Sequence, residues 1–217
     1  MHTVTAMTKP VAIAILAKAP IPGFAKTRLI PALGTQGTAL LQARLIERAV
    51  ASACAAAVGP VTLWITPREA QDAFSQLCMR HPINIAYQVH GDLGARMYAA
   101  AEAAKECVLL IGTDCPALEA SHLKSAATIL RKGTDAVLVP AEDGGYVLIG
   151  MRCAHRALFS GLPWGTPQVL DATRRRLKES GLSWEQPFVL WDLDTSADLA
   201  RLRKGQLASL LLPESIG

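Results

Sequence analysis

Dense charge of one sign is missing from this chain: 22 Lys and Arg face 18 Asp and Glu, the net charge is +4, and no run of five or more basic residues occurs. A nucleic-acid surface built on concentrated positive charge is therefore excluded. No apolar stretch approaches the roughly 20 residues that cross a bilayer, so no membrane span is expected. The one lookalike for an export signal is the apolar run 11–17 followed by Ala17-Lys18-Ala19. It is too short, carries Lys18 at the cut, and reads better as a buried strand. Cys54, Cys78, Cys107, Cys115 and Cys153 form no C-x-x-C pair, and no H-E-x-x-H occurs. Neither a disulfide framework nor a zinc site is expected, and the plain reading is a reduced, cytoplasmic protein. Internal repeats, low-complexity tracts and Gly/Ser linkers are absent as well.

What the chain does have is apolar bulk. With 51% hydrophobic residues and 18% charged ones, it is too apolar and too weakly charged to be disordered, and 217 residues suit one domain with a sizeable core. We expect a single unit over residues 1–217, with its core at about 11–203 and a helical tail over 204–217; the segment 196–212 reads as helix throughout. Short apolar runs alternate with longer helical patterns, the rhythm of βαβ units around a mostly parallel sheet. Strands are predicted at 11–17, 61–66, 85–89, 107–112, 136–140, 146–150 and 188–192. Helices are predicted at 36–56, 68–80, 94–105, 121–132 and 167–180. Runs such as VAIAILA and CVLLIG are apolar throughout, so both faces of the sheet must be covered. The expected fold class is α/β, a three-layer α/β/α sandwich.

In such sheets ligands collect beyond the carboxyl ends of the strands. After the first apolar run come Lys18, Gly23, Lys26 and Arg28 on a connection of about fourteen residues, long enough in a compact domain to suggest function. Pro20, Pro22 and Pro31 stiffen it and Gly23 permits close backbone approach. Three cations on one stiffened loop suit a polyphosphate, a solvated loop being the alternative. Neither G-x-x-x-x-G-K-[ST] nor G-x-G-x-x-G occurs, so the chain is neither a P-loop ATPase nor a dinucleotide enzyme by motif. Asp114, just past CVLLIG, is a candidate ligand for Mg²⁺ or Mn²⁺ held against phosphate oxygens; capping the next helix or forming an Asx turn is the other reading. A second acidic cluster, Asp192-Leu193-Asp194, follows the last apolar run. Of this pair one carboxylate lines the cleft and the other caps the helix starting at Ser196, and Asp194 is favoured as the second metal ligand.

Gly91, Asp92, Gly94 and Arg96 open a helix N-terminus suited to a base, ribose or phosphate, although turn chemistry explains the glycines equally well. Glu142, Asp143, Gly144, Gly145 and Tyr146 read first as a hairpin turn. They also suit a hydroxylated substrate, with Asp143 as hydrogen-bond acceptor or general base. Trp164 and Thr166 complete a possible wall, a core role for the tryptophan being as reasonable.

Six motifs occur in order: K-x-P-x-x-G-x-x-K-T-R-L from Lys18, G-D-L-G-x-R-M from Gly91, G-T-D-C-P from Gly112, D-G-G-Y from Asp143, P-W-G-T from Pro163 and D-L-D-T from Asp192. In this order the chain resembles a bacterial family of GT-A-fold transferases, the arsenosugar-biosynthesis-associated glycosyltransferases, themselves similar to molybdenum-cofactor and phospholactate guanylyltransferases. The resemblance spans about residues 11–203. It implies a nucleotide-diphospho-sugar transferase fold, a nucleotide donor and an Mg²⁺ or Mn²⁺ ion. By position it assigns Lys18, Lys26 and Arg28 to donor phosphates, Gly91 to Arg96 to the nucleoside, Asp114 and Asp194 to the metal, and Asp143 to Tyr146 to the acceptor or sugar. The chain departs from the G-x-G-x-R start of the nucleotidyltransferases, carrying Lys18-Ala19-Pro20 there.

The expectation is thus a metal-dependent transferase, with Lys26 and Arg28 offsetting leaving-group charge and Asp143 accepting a proton. Glycosyl transfer from a nucleotide sugar to a small acceptor stands first. Nucleotidyl transfer onto a phosphorylated acceptor stands second, and a non-catalytic nucleotide-binding or partner domain third. Monomer and homodimer both remain open.

Overall fold

The computed structural model describes residues 9–211. Its frame is built in chain order from β1 (Ala12–Lys18), α1 (Ile30–Ala56), β2 (Val61–Thr66), α2 (Ser75–Arg80), β3 (Asn84–Tyr87), α3 (Leu93–Ala104), β4 (Val108–Ile111), α4 (Ala120–Arg131), β5 (Ala136–Pro140), β6 (Tyr146–Met151), α5 (Val169–Glu179), β7 (Trp184–Glu185) and α6 (Ser196–Lys204). Among the described residues the strands form one sheet of order β3-β2-β1-β4-β6-β5-β7. All run parallel except β6, which is antiparallel to both β4 and β5.

Alternation along the strands explains the layers, because successive side chains of a strand point to opposite faces. Ile13, Ile15, Leu109, Ile111, Val137 and Val139 pack with the buried faces of α1, α2 and α4. Ala14, Val108, Leu110, Ala136, Leu138 and Ile149 pack on the other side with α3 and α5. The strands are therefore apolar on both faces, as a sheet covered on both sides requires. This is the expected three-layer α/β/α sandwich. A smaller satellite core joins Leu29, Leu41 and Leu45 to Leu193, Leu199 and Leu202, binding the start of α1 to α6. No helix among the described residues is long and apolar enough to cross a membrane.

Strand order reverses at β1: the chain first builds outward through β2 and β3, then crosses to β4 on the other side. Such a switch point opens a crevice beyond the carboxyl ends of β1 and β4. Because β6 is antiparallel, its start and the β5–β6 hairpin lie at this same end.

Four elements differ from the sequence-based expectation. The strand predicted at 188–192 does not form; Trp184 and Glu185 pair with β5 instead, and downstream only Leu190 bridges Ala141. Pro187 has no N–H to give to a ladder, which interrupts the pairing. The helix predicted at 68–80 is a 3₁₀ segment Arg68–Phe74, bent at Ala70, followed by the short α2. The helix predicted at 36–56 begins earlier, at Ile30 with Pro31 in its first turn, and is broken at Gly34, whose φ of 69° is left-handed. In the predicted tail, α6 stops before Gly205 and a 3₁₀ turn Ala208–Leu211 follows; residues 212–217 lie outside the described residues.

Leu110 sits at the middle of β4, 1% exposed and paired with Ala14 and Ile149. Leu110→Ala is expected to lower the unfolding free energy by about 2–5 kcal/mol, because the rigid sheet cannot collapse into the space left. Urea denaturation measures this directly.

Candidate active site

Beyond β1 the chain turns back toward the sheet through a 3₁₀ turn, Thr27–Leu29, whose Leu29 is fully buried in the satellite core. The residue before that turn, Lys26, has a left-handed backbone with φ 53° and ψ 37°. This conformation costs a non-glycine residue on the order of 1 kcal/mol, so surrounding contacts must hold it. They do. The Lys26 side chain is 4% exposed, and its Nζ lies 2.5 Å from Asp114 Oδ1 and 3.1 Å from Asp194 Oδ1. It also donates to the carbonyl oxygen of Leu193 at 2.6 Å. Burial alone would lower the Lys26 pKa, but attraction to Asp114 and Asp194, with their hydrogen bonds, outweighs it, and the ammonium is held above its ordinary value.

The two acidic segments are locked together by backbone as well. Leu193 N donates to the Asp114 carbonyl at 2.8 Å, and the Leu193 side chain is 0% exposed in the satellite core. Asp114 and Asp194 thus share one cationic partner despite lying far apart in sequence. Neither caps a helix: the N-cap of α4 is Glu119, in a capping box with His122, and that of α6 is Thr195, paired with Asp198. This corrects the expected division of labour between Asp192 and Asp194.

Asp192 faces the same cleft. Its carboxyl pKa is pushed up to about 7, first by burial and then by the charges of Asp114, Asp143 and Asp194, against which Lys26 works. Asp192 therefore lies close enough to feel three other carboxylates, of which Asp114 and Asp194 contact the buried ammonium.

Two glutamines, buried Gln42 and half-buried Gln88, which no sequence motif singled out, brace the strand ends. Gln42 of α1 is 2% exposed, and its Nε2 donates to the Lys18 carbonyl and to Thr113 Oγ1, both at 3.2 Å. Gln88 Nε2 donates to the carbonyls of Ala17 at 3.2 Å and Trp64 at 2.8 Å. Gln42 lies amid the apolar residues of a long helix, where nothing local marks it as functional.

These groups line a cleft of about 1070 Å³. One wall carries Lys18, Lys26, Arg28, Gly91, Asp92 and Arg96. Asp92 caps α3 by accepting from Ala95 N at 2.8 Å, while Arg96 donates to the Gly91 carbonyl at 3.2 Å and to Gln88 Oε1 at 3.4 Å. The other wall carries Glu142, Asp143, Gly145, Tyr146, Trp164 and Thr166. Asp143 Oδ1 accepts from Gly145 N at 2.9 Å, fixing the hairpin. Glu142 is bound by Arg201 at 2.7 Å, and the Arg201 guanidinium lies 4.5 Å from the Trp191 ring centre. Tyr146 meets Trp164 edge-on at 6.3 Å, and burial drives the tyrosine hydroxyl pKa upward.

Three of the glycines picked out in the sequence do not line the cleft. Gly23 occupies the loop with φ 81° and open space around it. At Gly94 a Cβ would come within 2.1 Å of the Phe159 carbonyl oxygen and 2.7 Å of Trp164 Nε1, so this glycine lets the cleft-lining tryptophan seat against α3. At Gly144 a Cβ would meet the Pro167 carbonyl oxygen at 2.3 Å, and the Gly144 carbonyl accepts from Leu170 N at 3.0 Å. It docks the hairpin on α5.

Residues 49–166 match the profile of a bacterial family described as an uncharacterized protein conserved in bacteria (DUF2064). No curated protein matches the sequence. Among solved structures, a protein of Desulfovibrio desulfuricans G20, provisionally assigned as a nucleotide-diphospho-sugar transferase, is 27% identical over 93% of both chains with a TM-score of 0.81. A nucleotidyl transferase from Methanothermobacter is 18% identical over 93% of this chain and 100% of that one, TM-score 0.61. A Mycobacterium tuberculosis H37Rv protein in complex with manganese is 15% identical over 88% and 97%, TM-score 0.54. The fold is that of the nucleotide-diphospho-sugar transferases.

The raised Asp192 pKa has a consequence for stability. A carboxyl whose folded pKa lies above its unfolded value stabilises fully below the unfolded pKa, and that stability is lost as pH rises through the folded value. Between about pH 4 and pH 7 Asp192 should therefore make the protein progressively less stable. Asp192→Asn is expected to flatten this slope and to add ~1–3 kcal/mol at pH 8, measured by urea unfolding across the pH range.

Proposed function

The chain belongs to the DUF2064 family, and from that premise and the cleft's geometry we propose that it is a metal-dependent transferase using a nucleotide-activated donor, with glycosyl transfer from a nucleotide sugar to a small acceptor as its reaction. The observation that carries the reading is the Lys26 ammonium held between Asp114 and Asp194. A position that accepts one cation between two carboxylates suits a divalent ion, with phosphate oxygens and water filling the remaining places. Among the described residues no three His, Cys, Asp or Glu side chains converge to hold an ion by themselves, so the donor's phosphates have to supply part of the shell. The fit is therefore to a metal that binds together with a nucleotide. The manganese complex of the mycobacterial fold relative supports the choice of Mg²⁺ or Mn²⁺.

Asp114 and Asp194 are the ligands in this reading, and the bound metal supplies Lewis-acid neutralisation of the donor's phosphate oxygens. Asp114 and Asp194 would hold the metal, while Lys26, Arg28 and Lys18 neutralise the departing diphosphate. Gly91, Asp92 and Arg96 form the wall for the nucleoside. Asp143, one oxygen fixed by Gly145 N, presents the other to the acceptor hydroxyl and takes its proton as that oxygen bonds to the anomeric carbon. The bond from that carbon to the phosphate oxygen breaks, and the nucleoside diphosphate leaves with the electron pair. Tyr146, Trp164 and Thr166 wall the acceptor.

The six ordered motifs support placing the chain with the arsenosugar-biosynthesis-associated glycosyltransferases within this fold. We also propose that residues 1–217 form one domain, on the support of a single sheet reaching from β1 to β7. A cytoplasmic site of action, as monomer or homodimer, accords with five cysteines that are all free thiols.

Incubation with Mn²⁺ and each common nucleotide sugar should raise the melting temperature, and more than either component alone. Selective stabilisation by nucleoside triphosphates would instead assign nucleotidyl transfer, and stabilisation by no nucleotide would remove the transferase reading. Asp114→Asn should remain folded by circular dichroism while metal-dependent turnover falls at least about a hundredfold.

A further inference from the structure

Cations and carboxylates are unevenly distributed around the cleft, although Asp92 and Asp114 lie on the cationic side and Lys26 reaches across to Asp194. The cleft's cationic side chains, Lys18, Lys26, Arg28 and Arg96, all come from the β1–α1 connection and the start of α3. The opposite wall, from the β5–β6 hairpin and the segments flanking α5 and α6, contributes Glu142, Asp143, Asp192, Asp194 and Asp198, and no Lys, Arg or His. The guanidinium that comes nearest to that wall is already committed: Arg201 is bound to Glu142 at 2.7 Å and stacked over Trp191, outside the cleft lining. Asp198 is spent on the backbone N–H groups of Asp194 and Thr195, at 3.1 and 2.7 Å. Asp194 faces Lys26. That leaves Asp143 with one oxygen free, and Asp192, whose carboxyl has no ion-pair partner among the described residues.

A phosphomonoester placed on this wall would bring about two negative charges to face Asp143 and Asp192, where the one ammonium in reach, Lys26, is already bound to Asp114 and Asp194. The unpaired cations stand across the cleft, where a donor diphosphate needs them. Hydroxyl groups meet the opposite situation: carboxylate oxygens are acceptors only, and each can take an O–H. Trp164, beside them, offers an apolar face on which a sugar ring can lie.

We propose that the acceptor is an uncharged, hydroxyl-bearing small molecule of the glycoside or polyol class, and that the hairpin wall rejects phosphorylated acceptors of the same skeleton. The inference rests on the transferase reading for the word acceptor, but the electrostatic discrimination belongs to the wall itself.

The test uses a matched pair, methyl glucoside and glucose 6-phosphate, titrated at low ionic strength against the full chain with and without Mn²⁺ and nucleoside diphosphate. Tryptophan fluorescence reads binding, with Trp164→Phe identifying the part that reports this wall. The neutral member should bind at least about tenfold more tightly, as like-charge juxtaposition requires. The gap should narrow as salt is added. Glu142→Gln, checked for an unchanged melting profile, frees the Arg201 guanidinium and should narrow the gap several-fold at fixed salt. Tighter binding of the phosphate, or a response that does not distinguish the pair, overturns the proposal. Because the titration is also run on the free protein, its outcome is separate from nucleotide stabilisation: a chain stabilised by nucleotide but indifferent to the pair keeps the transferase reading and loses this one.

Discussion

A buried ammonium needs carboxylates, and carboxylates this crowded need a cation; at Lys26, Asp114 and Asp194 each demand meets the other. Lys26 takes a left-handed backbone to reach inward, and the strain persists because Leu29, three residues on, is sealed in the satellite core. Asp194 arrives through Leu193, anchored in that same core and hydrogen-bonded to the Asp114 backbone. One small apolar cluster between α1 and α6 therefore sets the positions of a charge triad, with packing fixing what electrostatics alone would leave to solvent. Of the triad only the Lys26 ammonium is buried, so removing a carboxylate costs the lysine a partner, whereas Asp114 and Asp194 keep their access to solvent.

The same constraint links stability to chemistry. Burial in a partly dry crevice, with the charges of Asp114, Asp143 and Asp194 nearby, raises the Asp192 pKa. A folded chain without ligand must neutralise the cluster internally, and Lys26 does so. In the proposed reaction Asp114 and Asp194 would hold a metal ion together with the nucleotide, and Lys26 would be available to phosphate. Lys26 sits at the junction of the switch-point strands, where this kind of sheet gathers ligands.

The strands were largely legible because continuous apolar runs must be covered on both faces, and 61–66 and 136–140 form as read. The last strand was misread because composition does not reveal that Pro187 breaks a ladder which Leu190 resumes for a single bridge. Candidate charges after each strand were legible for the same reason the strands were, since their positions follow from where apolar runs end. Gln42 and Gln88 were not, because an amide becomes a brace only when particular carbonyls come within reach. Gly94 and Gly144 show the reverse: both were noticed as glycines near a site, but the structure uses them where backbone carbonyls press too close for any side chain.

By itself the amino-acid sequence determined the layered α/β architecture, the end of the sheet at which ligands collect, and the charged residues present there. Alternation, apolar run length and turn chemistry act locally, and each can be read from neighbours in the chain. Tertiary structure alone decided which charges meet. Lys26, Asp114 and Asp194 are drawn from three separate segments, and their juxtaposition follows from strand order and from the packing of α6 on α1. It also decided how the remaining cations and carboxylates are distributed around one cleft, since electrostatic energy depends on distances through space that no spacing along the chain encodes.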